Sequence, residues 1–186
     1  YTAITIAAGG NTLNIGTGAT IFGDNGIGVG GLGGNVINNA GDVGSTFGTF
    51  GLSGNANTIN NSGNIISASL DAILFNNDGN TLTNSGYISG GGSGDAVQVL
   101  GNNNTVVNTG MLTGFSAVDF DGNGGVNALF NAGTMIGTTN AGFDGSEGQD
   151  LIVNTGLIQG NAAGGERRKR AMTVWLGSTM FAIRAL

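Results

Sequence analysis

The sequence predicts an all-β fold: a parallel β-solenoid, or β-helix, of six or seven coils of about 23 residues each. Three observations carry that expectation. An Asn-x-Gly triplet begins at Asn39, Asn61, Asn84, Asn108, Asn131 and Asn154, at spacings of 22, 23, 24, 23 and 23 residues. The residue two before each Asn (Ile37, Ile59, Leu82, Val106, Leu129, Ile152) and the residue four after it (Val43, Ile65, Ile88, Leu112, Met135, Ile158) are all apolar. A third apolar piece follows in the repeats, as in Ala72-Ile73-Leu74-Phe75, Ala96-Val97-Gln98-Val99 and Ala117-Val118-Asp119-Phe120, with weaker versions from Phe47 to Phe50 and from Ala141 to Phe143.

Around each triplet the pattern is apolar, any, Asn, small, Gly, any, apolar. Short alternating pieces broken by a turn are strands, and no 3.6-residue stripe runs through them. Three such strands per repeat make one coil, stacked on the next at about 4.8 Å. In that arrangement the asparagines at one corner can donate to and accept from the amides above and below. Gly41, Gly63, Gly86, Gly110, Gly133 and Gly156 then admit a positive φ, or let the chain turn without a Cβ clash. The distance from the second strand to the third varies, with nine residues from Ile88 to Val97 and six from Leu112 to Val118. The glycine- and serine-rich loop there, such as residues 90–94, is the expected function-bearing edge.

Residues 36–165 form the regular body. Residues 1–35 read as an irregular N-terminal coil or cap: Leu13 stands 24 residues before Ile37, but Asn14-Ile15-Gly16 follows one position early. Residues 166–186 change character, with Glu166-Arg167-Arg168-Lys169-Arg170 followed by an apolar run that holds the single tryptophan, Trp175. This tail is either a capping helix or a segment foreign to the repeat. A basic cluster before an apolar stretch is also compatible with contact to a membrane surface.

Composition narrows the chemistry. The chain of 186 residues has 39 glycines and no proline, cysteine or histidine. Without proline every backbone N–H is free for a ladder, and without cysteine there is neither disulfide nor thiolate metal site. All five basic residues lie after position 165, so residues 1–165 set ten carboxylates against no cation. Nucleic acid is excluded as a partner of the body, which has nothing to neutralise phosphate. The body is not membrane-inserted, since no run reaches the roughly 20 apolar residues a spanning helix needs. Tyr1-Thr2-Ala3-Ile4-Thr5-Ile6 reads as a strand and not as a secretory leader.

The segments Asn84-Ser85-Gly86-Tyr87-Ile88-Ser89-Gly90, Asn108-Thr109-Gly110-Met111-Leu112-Thr113-Gly114 and Asn154-Thr155-Gly156-Leu157-Ile158-Gln159-Gly160 resemble the repeats of autotransporter passenger domains. The resemblance covers about residues 36–160. It implies a right-handed parallel β-helix exported across the outer membrane of a Gram-negative bacterium. It further implies a secreted or cell-surface location and a role in adhesion or surface display. The partner would be a host or neighbouring-cell surface, glycans included, and open solenoid ends would allow end-to-end self-association. The chain would then be a passenger fragment, without the family's leader or translocating β-barrel.

The candidate sites follow from the carboxylates. Asp71 and Asp95 each precede an Ala that opens a third strand, so they should stack in adjacent coils. Two carboxylates about 5 Å apart suit a retaining glycosidase, although the body offers no Arg, Lys or His to assist them. The expectation is therefore a non-catalytic protein without a cofactor, with a carbohydrate-active β-helix as the alternative. Calcium is a third possibility, because stacked carboxylates invite a hard cation with oxygen ligands. The candidates are Asp71, Asp95, Asp144, Glu147 and Asp150, the last two within a glycine- and aspartate-rich stretch at 145–151. An ice-binding threonine array is a minor alternative: threonine falls at scattered registers (Thr58, Thr81, Thr105, then Ala128), so the array should break quickly.

Overall fold

The computed structural model describes residues 1–121, 125–145, 148–161, 172–176 and 179–183, the last two stretches by strand pairing alone. The fold is all-β. Three parallel sheets surround one core, and each coil contributes a strand to sheet A, then sheet B, then sheet C, seven times over. A representative coil runs Ile73–Phe75 in sheet A, Thr81–Asn84 in sheet B and Tyr87–Ser89 in sheet C.

Register follows the apolar columns. In sheet B, Ile37, Ile59, Leu82, Val106, Leu129 and Ile152 pair in succession, and Val43, Ile65, Ile88, Leu112, Met135 and Ile158 do the same in sheet C. Sheet A adds Phe50, Ile73, Val97, Val118 and Phe143, with Leu52, Phe75, Val99 and Phe120 forming a second inward column. Almost all these side chains are buried. Their alternation with exposed neighbours fixes the register, because a slip of one residue would turn every column outward. Phe120 and Phe143 close the far end of the core edge-to-face, with ring centroids 5.2 Å apart.

The N-terminal segment is more regular than its sequence suggests. Thr2–Ile6, Thr12–Ile15 and Thr20–Gly23 form a first coil in register with the rest, and Asn25–Val29 opens the second. Leu13 pairs with Ile37 and Ile15 pairs with Asn39, so an isoleucine stands where later coils carry the triplet asparagine. At the other end Met172–Leu176 joins sheet B parallel to Leu151–Asn154, and Thr179–Ile183 pairs antiparallel with it. These two stretches of the tail are strands where one sequence reading set a helix.

The loops differ from expectation too. Residues 90–95 do not project as a free edge. Gly91 and Gly94 lie so close to Ala68 and Leu70 of the preceding coil that a Cβ on either would stand within 3.0 Å of backbone. The loop from sheet A to sheet B also varies: eleven residues separate Val118 from Leu129, against nine from Val97 to Val106.

Candidate functional site

Polar side chains meet at three corners of the solenoid, and at two of them they bond chiefly to the next coil. At the B-to-C corner Asn39, Asn61, Asn84, Asn108, Asn131 and Asn154 stand in one column. The Nδ2 of each donates to the Oδ1 of the next at 2.7–2.9 Å, and also to the carbonyl of the glycine two residues on. None of the six glycines takes a positive φ. Their requirement is close approach: a Cβ on Gly63, Gly86, Gly110, Gly133 or Gly156 would fall within 3.0 Å of the glycine carbonyl one coil earlier.

Four residues before each triplet lies a second column, which the sequence reading passed over. The backbone N–H groups of Asn11, Asn35, Asn57, Asn80, Asn104 and Asn127 each donate to the side-chain oxygen of the residue one coil later, ending on Asp150, at 2.7–3.0 Å. The signal was present as Asn35, Asn57, Asn80, Asn104, Asn127 and Asp150, each four residues ahead of its triplet. These oxygens satisfy backbone donors at the A-to-B corner, where the chain leaves one ladder before joining the next.

The carboxylates divide between corners. Asp71 and Asp95 do stand in adjacent coils at the C-to-A corner. The N–H of Asp95 donates to Asp71 Oδ1 at 2.8 Å, and that of Ser116 donates to Asp95 Oδ1 at 2.6 Å. Burial pushes the Asp95 carboxyl up to about 6; the bond from Ser116 opposes this and the charges of Asp71 and Asp144 add to it. Burial raises Asp71 as well, against hydrogen bonds from the Asp95 and Asp71 backbone. Asp144 is buried near this corner and accepts from Asn140 Nδ2, which also donates to Ser116 Oγ. Asp150 belongs to the asparagine column at the A-to-B corner, so the candidate calcium ligands do not converge on one point. Glu147 lies outside the described residues. Among the described residues, no three carboxylates are grouped as metal ligands would be.

Chemically, Asp71 and Asp95 act here as caps on backbone N–H groups of the neighbouring coil. The pair resembles a catalytic dyad in its stacking and in the raised pKa of both carboxyls. It differs in that one oxygen of each carboxylate is already bonded to the chain.

The outer face of sheet B corrects the view of the threonines. Thr58, Thr81 and Thr105 share one register and stack directly, between Val36 on one side and Ala128 on the other. Parallel to them runs an outward-facing column of Asn14, Asn38, Asn60 and Thr83, exposed except for the half-buried Asn38, in which Asn38 Nδ2 donates to Asn14 Oδ1 and Asn60 Nδ2 to Asn38 Oδ1, both at 2.8 Å. Between this column and the turn residues Ser62 and Ser85 lies an open groove of about 270 Å³.

The fold and these ladders define the chain as a β-solenoid repeat protein. Comparison with protein-family models, curated proteins and solved structures finds no match to it.

Proposed function

We propose that this protein is a non-catalytic extracellular scaffold or adhesin, a passenger segment of an autotransporter-like protein displayed on a Gram-negative cell surface. The observation that carries the reading is how its polar side chains are used. Both buried asparagine columns, and the Asp71–Asp95 pair, bond to the neighbouring coil, as in a rod built for continuity along its axis. The composition suits the same role, because trypsin-like proteases find no Lys or Arg before Arg167. Stacked coils with closely packed loops leave few extended segments for other proteases to engage.

The test is location together with attachment. Antibody to residues 36–160 should label intact cells of the source organism, and the purified protein should attach to cell surfaces without hydrolysing their glycans. Label confined to lysed cells overturns surface display. Glycan hydrolysis that is lost in Asp71→Asn or Asp95→Asn overturns the non-catalytic assignment. A melting temperature that rises with calcium and falls with chelator would make the rod a calcium-stabilised one.

A further inference from the structure

We infer that the groove along the B-to-C corner is a binding site for a neutral, linear, hydroxyl-rich glycan lying parallel to the solenoid axis. This rests on the adhesive reading above and names the chemistry of its ligand.

The groove is continuous over four coils, about 14 Å at the strand spacing of a sheet. One wall is the outward-facing column Asn14, Asn38, Asn60 and Thr83. The other is the turn that follows sheet B, where Ser62 and Ser85 stand above small residues. An amide offers two N–H donors and two acceptor lone pairs. Asn38 uses one N–H on Asn14 and one lone pair on Asn60, so an N–H and a lone pair remain for a ligand. The hydroxyls of Ser62 and Ser85 donate to the carbonyls of Asn39 and Asn61, which leaves their oxygens as acceptors. Asn14, Asn38 and Asn60 thus pair a donor with an acceptor once per coil spacing; a serine oxygen joins them only in the third coil, and Thr83 and Ser85 supply hydroxyls in the fourth. That pairing matches the hydroxyls of a sugar, each of which donates and accepts.

Charge and periodicity select among polymers. No residue lining the groove is charged, and the chain carries a net charge of −6, so an anionic polymer has nothing to neutralise it. An extended peptide advances about 3.3 Å per residue, out of step with coils about 4.8 Å apart. A pyranose ring linked through equatorial positions spans roughly one coil spacing, so an extended chain of such rings sets one ring on each coil. The hydrogen bonds among the asparagines hold the wall in position before any ligand arrives, which lowers the entropy lost on binding.

The test uses cellohexaose, chitohexaose and maltohexaose as probes, with titration calorimetry and the side-chain amide NMR signals of Asn38 and Asn60. At least one hexasaccharide should shift those signals, and Asn38→Ala with Asn60→Ala should weaken its binding tenfold or more. Ser62→Tyr fills the groove from the opposite wall and should do the same, which covers the case in which the alanine pair lowers the melting temperature. Three outcomes overturn the assignment: no hexasaccharide moves the signals, binding survives both variants, or a glycine-serine nonapeptide binds the groove more tightly than any sugar. Attachment to cells is measured in parallel. If attachment survives the groove variants, the groove assignment falls and the adhesive reading stands; if the unaltered protein does not attach, the adhesive reading itself falls.

Discussion

The backbone N–H of Asn80 donates to Asn104 Oδ1 at 2.7 Å, so a side chain in one coil completes the main-chain bonding of the coil before it. Asn104 is almost wholly buried, and its own N–H is held in the same way by Asn127. Asn104→Ala removes the acceptor and leaves the Asn80 N–H without its partner. The expected loss is about 1–3 kcal/mol of unfolding free energy by urea denaturation. A loss below about 0.5 kcal/mol, as at an exposed site, would mean that water replaces the rung.

Gly86 has a different constraint. Its Cα faces Ser62 and Gly63 of the preceding coil too closely for any Cβ. Gly86→Ala should therefore destabilise by about 1–3 kcal/mol through overpacking, although alanine suits an ordinary backbone conformation better than glycine does. Circular dichroism melting should show a lowered midpoint, and a raised one would place the coils further apart than described.

Ile88 is fully buried in the inward column of sheet C. Ile88→Ala should cost about 2–5 kcal/mol, the range for a large-to-small change in a core. The same change at Ile66, whose side chain is 43 % exposed on the outer face, should cost far less. Equal costs at the two sites would contradict the register.

Asp95 gives the solenoid a pH dependence of defined sign. Burial moves its carboxyl from the ordinary value of 3.8 to about 6 on folding. Between those values the native state keeps a proton that the unfolded chain has lost, so stability falls as pH rises through the window. Asp71, also raised, acts in the same direction. The melting temperature should be higher near pH 4 than at pH 7. Asp95→Asn, whose amide oxygen can still accept from Ser116, should flatten that slope and raise the melting temperature at pH 7. A wild-type melting temperature that rises across the window would contradict the burial of this pair.

Much of this fold is legible in the sequence because a solenoid repeats its physical problem in every coil. Each inward position meets its own copy above and below, so Ile59, Leu82 and Val106 answer one requirement three times. The asparagine of the triplet stands out because the glycine beside it is fixed by close packing. The column from Asn35 to Asp150 was harder to see: its residues lack a glycine companion, asparagine is common throughout, and the last rung changes identity. The outward-facing column of Asn14, Asn38 and Asn60 was hidden for a related reason. Its members face solvent, where side chains change freely, and Thr83 ends the run after three amides. The first coil looked irregular because Ile15 replaces the asparagine while Leu13 keeps the apolar register. Loop packing was not legible at all, since glycines at 90–94 read equally as a free edge or as a flat loop seated on the coil below.

The recurrent polar residues are architecture, bonded from coil to coil, and the pair Asn84 and Asn108 puts this to measurement. Asn84 Nδ2 donates to Asn108 Oδ1 at 2.9 Å in the buried column. A double-mutant cycle with Asn84→Ala and Asn108→Ala, read by urea denaturation, measures their coupling. The expected coupling lies within about 0.5–3 kcal/mol, the range for residues sharing one hydrogen-bond network. Additivity within about 0.3 kcal/mol, as for independent sites, would contradict it.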